Sequence, residues 1–234
     1  MKLNQYLPNK FKIFFRRVKF YIFGEKFYKK FNYDWYKYPS RFEIINKIIK
    51  LKNYKSYLEI GCQADINFSN INILDRTGVD PYDGGTHRMT SDKFFSINKK
   101  KFDIIFIDGL HEFEQVLRDI YNSINFLKNG GVILLHDCLP SKIWHQTIPQ
   151  THSSWNGDVW KALVKCRTLK NLDTYTCIAD HGIGVIFHRK NLNILNLEKK
   201  NIHSLAFKDY YQNHKKFMNL ISVDKLMKLI LDNN

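Results

Sequence analysis

The chain has only four cysteines in 234 residues, and no two of them form a Cys-x-x-Cys pair. Cys62, Cys138, Cys166 and Cys177 lack both the spacing of a zinc site and the density of a disulfide framework. They read as reduced thiols of a cytosolic protein. No signal-peptide pattern is present, and the longest apolar runs are strand-length, too short to span a bilayer. Acidic residues are scarce: 22 Asp and Glu face 37 Lys and Arg, for a formal charge of +15. There is no internal repeat and no low-complexity linker. What is present is 44% hydrophobic and 15% aromatic, which excludes a disordered chain. The length suits one α/β domain with additions at its ends.

Much of the positive charge comes early. Residues 1–40 hold ten lysines and arginines against Glu25 and Asp34, interleaved with Phe11, Phe14, Phe15, Phe20, Tyr21, Phe23, Phe27 and Tyr28. One reading of this segment, residues 1–38, is a basic amphipathic arm for a membrane surface, an acidic partner or nucleic acid. The other is a helical arm packed on its own domain or on a dimer mate, and Gly24 divides it into two candidate helices. The main domain is expected over 39–190 and a basic helical tail over 191–234.

Pro39-Ser-Arg opens an amphipathic helix with Phe42, Ile45, Ile48 and Ile49 near helical spacing. Strands are expected at Ser56–Ile60, at a run ending on Gly78-Val79-Asp80, near Arg88–Thr90, and at Lys101–Ile107. Glu112–Leu127 has a helical period through Phe113, Val116, Ile120 and Ile124. Gly130-Gly131 is expected to end that helix before a strand at Val132–Leu135. A helix at Val159–Leu169 has Asp158 as its candidate N-cap. Tyr175–Ala179 and Val185–His188 are close enough for an antiparallel hairpin. Alternating strands and helices closed by an antiparallel pair predict an α/β fold: a Rossmann-like doubly wound sheet, mostly parallel, with an antiparallel last strand.

The chemistry concentrates in Phe106-Ile-Asp-Gly-Leu-His111 and Gly130-Gly-Val-Ile-Leu-Leu-His-Asp137. Each apolar run stops on a carboxylate with a histidine nearby, and ligands of such sheets bind at the carboxyl ends of the strands. Asp108, His111, His136 and Asp137 should therefore converge on one cleft, as a metal site, an acid/base site or both. Tyr57-Leu-Glu-Ile-Gly61 is a strand broken at a glycine, with a helix expected just after it, and Asp80 ends the next strand, where nucleotide-binding folds hold ribose hydroxyls. The sequence after Gly61 does not continue as a Gly-x-Gly-x-x-Gly turn, which favours a nucleoside without a pyrophosphate. Trp155 reads as an aromatic wall for substrate and Trp160 as core. Glu112 and Glu114 read as first-turn helix charges.

From Ser56 to His188 the chain resembles the class I S-adenosylmethionine-dependent methyltransferases. Their first motif, Glu/Asp-x-Gly-x-x-x-Gly, is matched by Glu59, Ile60 and Gly61, with Asp65 in place of the last glycine. The resemblance implies that Asp80 holds ribose hydroxyls, the Gly61 region the methionine part, and Ser91-Asp92 the adenine. The stretch from Phe102 to Asp119, with the later Gly-Gly-Val-Ile-Leu-Leu-His-Asp, is similar to methyltransferases found with bacterial surface-polysaccharide genes. It also resembles the metal-dependent catechol and macrolide-sugar O-methyltransferases. By that resemblance Asp108 and Asp137 are metal ligands and His111 is the general base. The third ligand has no counterpart in the motif, and His136, His181 and Asp158 are its candidates. Fe, Mn or Mg would suit such donors.

Together these readings imply a cytoplasmic O-methyltransferase, peripheral at the inner membrane face if the arm binds lipid. It would use S-adenosylmethionine and a divalent metal on a small hydroxylated acceptor, a sugar or nucleotide-sugar, and a homo-oligomer is compatible with the arm. The charge also admits nucleic-acid methylation, but no Asn-Pro-Pro-Tyr-type tetrad and no appended RNA-binding module support it. The other alternative is a non-catalytic binding protein of the same fold.

Overall fold

The structure, a computed structural model, describes residues 10–197 and 201–233. The first nine residues of the basic arm, Lys2 among them, lie outside the described residues.

Eight strands form one sheet: β1 (Ser56–Ile60), β2 (Asp75–Asp80), β3 (His87–Arg88), β4 (Phe102–Ile107), β5 (Leu127–Leu135), β6 (Asp173–Cys177), β7 (Ile183–Phe187) and β8 (Leu220–Ile221). Their order is β3-β2-β1-β4-β5-β7-β6-β8. β7 runs antiparallel to both its neighbours and every other pairing is parallel. The central strands are apolar throughout because both faces are covered. Alternate residues serve opposite layers: Leu58, Ile105, Ile107, Ile133 and Leu135 join one core, and Tyr57, Ile104, Phe106, Val132 and Leu134 the other.

The first core is roofed by α3 (Ser91–Ile97), α4 (Phe113–Asn125) and α5 (Val159–Arg167), through Phe94, Phe95, Phe113, Val116, Trp160 and Leu163. The second is roofed by α2 (Arg41–Lys52) and α8 (Val223–Leu231), through Ile44, Ile45, Ile48, Ile49, Leu226 and Ile230. Helix α2 starts where the sequence places it. The Glu43 carboxylate accepts hydrogen bonds from the Ser40 N–H and Oγ, a capping arrangement that satisfies a donor outside the helix.

Four local expectations are corrected. The Gly130-Gly131 pair does not end a helix but lies inside β5. Gly130 takes φ +70° and the pairing with β4 shifts register there, so the strand bulges instead of breaking. The segment after Gly61 is not an α-helix but a series of turns with a 3-10 turn at Phe68–Asn70; Gln63 and Asp65 have positive φ, incompatible with a helix at that point. The two-residue β8, after the hairpin, was not anticipated; it runs parallel to β6. Finally, the arm forms one helix, α1 (Lys10–Phe23), and then runs extended to a 3-10 turn at Trp35–Lys37.

That extended stretch is tied to the tail. Glu25 accepts from the N–H groups of Phe207 and Lys208 (2.9 and 2.8 Å), capping α6 (Phe207–Gln212). Phe31 packs on Tyr211 and on His214 of α7 (His214–Met218), with ring centroids 4.6 and 4.1 Å apart. Among the described residues no helix is long and apolar enough to cross a membrane.

Candidate active site

The carboxyl ends of β1, β2, β4 and β5 lie side by side, and four of the predicted site residues meet at β4 and β5. Asp108 follows β4 and His111 sits three residues on; His136 and Asp137 follow β5. One Asp108 oxygen, Oδ1, lies 3.2 Å from His111 Nε2 and 3.2 Å from His136 Nδ1. Asp137 Oδ2 lies 3.4 Å from His111 Nδ1 and 3.5 Å from His136 Nδ1. Asp108, His111 and Asp137 each offer one donor atom within 4.8 Å of the others, a spacing that suits one metal ion. His136 stands behind them. Its Nε2 is turned to Asp180 Oδ1 at 3.2 Å, and Asp180 Oδ2 in turn accepts from the Arg41 backbone N–H at 2.7 Å.

Asp137 has φ +59°, which turns its carboxylate out of the strand direction towards the cluster. The chain beyond it is stitched to the β6–β7 turn: Cys138 N–H donates to the Gly182 carbonyl and Leu139 N–H to that of His181. Gly61, with φ +87°, is required for packing. A Cβ there would come 2.2 Å from the Asp108 carbonyl oxygen, so a side chain at 61 would push the end of β4 away from β1.

Residues 144–158 form the remaining wall. Trp155 stacks on His111, with centroids 5.4 Å apart and planes 29° from parallel, and its carbonyl lies 3.2 Å from His111 Nδ1. Asn156, buried, donates to Asp137 Oδ1 at 2.7 Å. Trp160 is fully buried against Tyr210, in the core as expected. Asp158 precedes α5 but does not cap it with its side chain; it accepts from the Phe113 N–H at 2.7 Å and so caps α4. His181 is 6.1 Å from the His136 ring, centroid to centroid, and 5.4 Å from Trp35.

At the carboxyl ends of β1 and β2 Asp80 is fully engaged. Its Oδ2 accepts from the N–H groups of Cys62 and Gln63 (3.1 and 3.0 Å) and its Oδ1 from Tyr82 and Asp83 (2.8 and 3.0 Å). Asp80 thereby ties the loop after β1 to the loop after β2. Glu59 is buried and accepts from Tyr57 and Asn67; burial raises its carboxyl to about 7. Ser91 and Asp92 open α3 and share the side-chain amide of Gln115 (3.1 and 3.4 Å). Gln115 also reaches Asp119, a buried carboxyl raised to about 6 by its burial.

A family model described as a methyltransferase domain matches residues 64–138. That stretch holds Asp80, Asp108, His111 and Asp137. Among solved structures, the S-adenosylhomocysteine-bound methyltransferase PaMTH1 of Podospora anserina is 14% identical, with a TM-score of 0.50 over 80% of this chain and 100% of its own. This is a class I methyltransferase fold. The O-methyltransferase TomG of Streptomyces achromogenes, involved in tomaymycin synthesis and crystallised with S-adenosylmethionine, is also similar. It is 9% identical, with a TM-score of 0.47 over 64% of this chain and 79% of its own. No curated protein matches the chain in sequence.

Within this methyltransferase fold the site is a set of opposed charges, with His136 and Asp137 buried and Arg41, Asp108, His111 and Asp180 partly buried. Burial by itself would raise the Asp108 carboxyl and lower the two imidazoles. The neighbours reverse both: the His136 and His111 rings hold Asp108 well below the usual carboxylate range, and the carboxylates of Asp108 and Asp137 raise both histidines above the ordinary imidazole value. Asp180 is likewise held down, to about 2, against its own burial by the His136 hydrogen bond and by Arg41. Arg41, Asp180 and Asn156 belong to the site although no motif marked them. The only local signals were the capping sequence at Ser40-Arg41 and the turn-forming Asn156-Gly157-Asp158.

Asp80→Ala is expected to weaken S-adenosylmethionine binding by roughly 1–3 kcal/mol, because four backbone donors lose their acceptor and the two loops separate. Calorimetric titration measures this. An unchanged affinity would show that these loops do not shape the cofactor site.

Proposed function

We propose that the protein transfers the methyl group of S-adenosylmethionine to a hydroxyl of a small acceptor, a sugar or nucleotide-sugar. The observation that carries this reading is the grouping of Asp108, His111 and Asp137 at the ends of adjacent strands, within a methyltransferase fold. The amino-acid end of the cofactor bears an ammonium and a carboxylate on one carbon. Asp108 and Arg41 present opposite charges 3.8 Å apart, and the Arg41 Nε is buried without a hydrogen-bond partner, which suits an anionic group. S-adenosylmethionine supplies an electrophilic methyl on a sulfonium sulfur.

A sugar hydroxyl is a weak nucleophile until its proton is removed. Trp155 offers an aromatic face beside His111 on which an acceptor can lie. The hydroxyl oxygen forms its bond to the methyl carbon as the carbon–sulfur bond breaks, and the hydroxyl proton passes to His111. Asp108 and Asp137 hold the imidazole in place from either side and stabilise the imidazolium that results. The Asp108 and Asp137 carboxylates would hold a divalent cation beside it. Bound there, it would lower the pKa of the acceptor hydroxyl and offset the carboxylate charge that keeps His111 protonated. Asn156 then orients Asp137 through its outer oxygen, as partners of ligating carboxylates do.

Purified protein given S-adenosylmethionine and a panel of sugars and nucleotide-sugars should release S-adenosylhomocysteine with at least one of them. EDTA should suppress that release, and Mn or Mg should restore it. Cofactor binding with no turnover on any hydroxylated acceptor would leave a binding protein. Turnover unaffected by EDTA would leave His111 acting without a metal.

A further inference from the structure

Helix α1 has two apolar faces. Successive residues of a helix turn by about 100°. Ile13 and Phe20 therefore share one side, where they are half-buried on the body. That side is pinned by Arg17, whose Nε donates to the Thr151 carbonyl at 2.7 Å, and by Arg16, which reaches the Gln150 carbonyl at 3.5 Å. On the opposite side Phe14, Phe15, Val18, Tyr21 and Ile22 point outwards, 59%, 67%, 39%, 60% and 60% exposed. Lys12 and Lys19 are exposed along the border of this outer stripe, and Lys26, Lys29 and Lys30 are exposed just beyond the helix.

Isolated exposed apolar residues are ordinary, but a continuous stripe on the far side of a docked helix marks a contact surface. The charge decides between occupants. A second copy laid face to face would bring the bordering lysines against one another, and like charges across an interface are costly. An anionic lipid surface answers both features: phosphate groups meet the lysines, and the aromatic and aliphatic side chains enter the boundary between headgroups and acyl chains.

We propose that the outer face of α1 docks the protein on an anionic membrane surface. Phe14, Phe15, Val18, Tyr21 and Ile22 are the inserted residues, and Lys12 and Lys19 supply the electrostatic attraction. The two arginines that fix α1 to the body hold the same loop that brings Trp155 and Asn156 to the active site. The acceptor wall is thus fastened to the docking helix.

Cosedimentation tests this with vesicles of phosphatidylcholine alone and vesicles containing about one third phosphatidylglycerol. The full chain should pellet with the anionic vesicles at low salt, remain in the supernatant with the neutral ones, and be released at high salt. The triple variant Phe14→Ser, Phe15→Ser, Ile22→Ser should lose at least about tenfold in partitioning. Lys12→Glu with Lys19→Glu should lose about fivefold or more for each site. Both variants should keep the parent's melting temperature, since these side chains do not pack on the body. Failure of the full chain to pellet with anionic vesicles overturns the proposal. So does a serine variant that partitions like the parent. A parent dimer in sedimentation velocity that the serine variant converts to monomer, with no vesicle binding, would assign the face to a second copy instead.

Discussion

Asn at Asp108 or Asp137 is expected to abolish both divalent-metal retention and methyl transfer, whereas Ala at His111 should leave the metal bound and lower turnover by about 10²–10⁴. The amide keeps the shape of the carboxylate but removes its charge, so a divalent cation held there would lose an anionic ligand and the two histidines would lose part of the field that raises them. Metal content by emission spectroscopy and S-adenosylhomocysteine release read the two effects separately. Loss of metal in His111→Ala would make that residue the third ligand instead of the base. Retained metal and turnover in both aspartate variants would remove the metal from the mechanism. The pH dependence follows from the same contacts. The carboxylates raise His111 above its ordinary value of 6.5, so its neutral, proton-accepting form grows only at higher pH. Nuclear magnetic resonance titration of the metal-depleted protein should therefore find His111 losing its proton above 6.5, and turnover of the metal-loaded protein should climb with pH through a lower value, because the divalent cation offsets the carboxylates. In His111→Ala this limb should disappear.

The second large effect is expected at a residue that has no side chain. Gly157 has φ +59°, and a Cβ built on it would come 1.7 Å from the His111 carbonyl oxygen and 2.6 Å from the His111 Cβ. No rotamer relieves a clash with backbone. Gly157→Ala must move either the turn that carries Asn156 or the start of α4 that carries His111. A displacement of about 1 Å at a catalytic group costs on the order of 10²-fold in rate. The strained backbone adds a destabilisation of about 1 kcal/mol or more. Turnover should fall with a lower melting temperature, and S-adenosylmethionine affinity, proposed above to depend on Asp108 and Arg41 and on the loops after β1 and β2, should fall less than turnover. An alanine variant with the parent's rate and melting temperature would mean that this turn does not set the position of His111.

The cluster at β4 and β5 was legible because its residues lie directly where apolar runs stop. Strand alternation and the parallel arrangement then bring Asp108 and Asp137 together without further information. Which ring faces which carboxylate was not legible. His111 and His136 both lie near strand ends, and their orientations are decided by Trp155 and Asp180, 44 residues away from each in sequence. Separation along the chain also hid Asn156, 19 residues from Asp137, and Arg41, 139 residues from Asp180. Asp158 shows the limit of local patterns: its place before α5 is the sequence signature of a cap, yet its carboxylate serves a helix start 45 residues earlier. The Gly130-Gly131 pair failed for a related reason. Glycine permits a positive φ, but whether that ends an element or bulges a strand depends on what β4 offers alongside.

The sheet finishes on each flank in a strand of two residues, β3 and β8. Each outermost strand therefore offers a neighbouring molecule a very short run of backbone donors and acceptors, too short to seed strand-on-strand growth. Copies of this protein that meet at high concentration have no long ribbon to extend. Main-chain pairing, which accepts any sequence, is thereby confined to short stretches at either flank, and assembly through helix side chains can be more selective. An apolar β-rich core is in this way kept from becoming a template for aggregation.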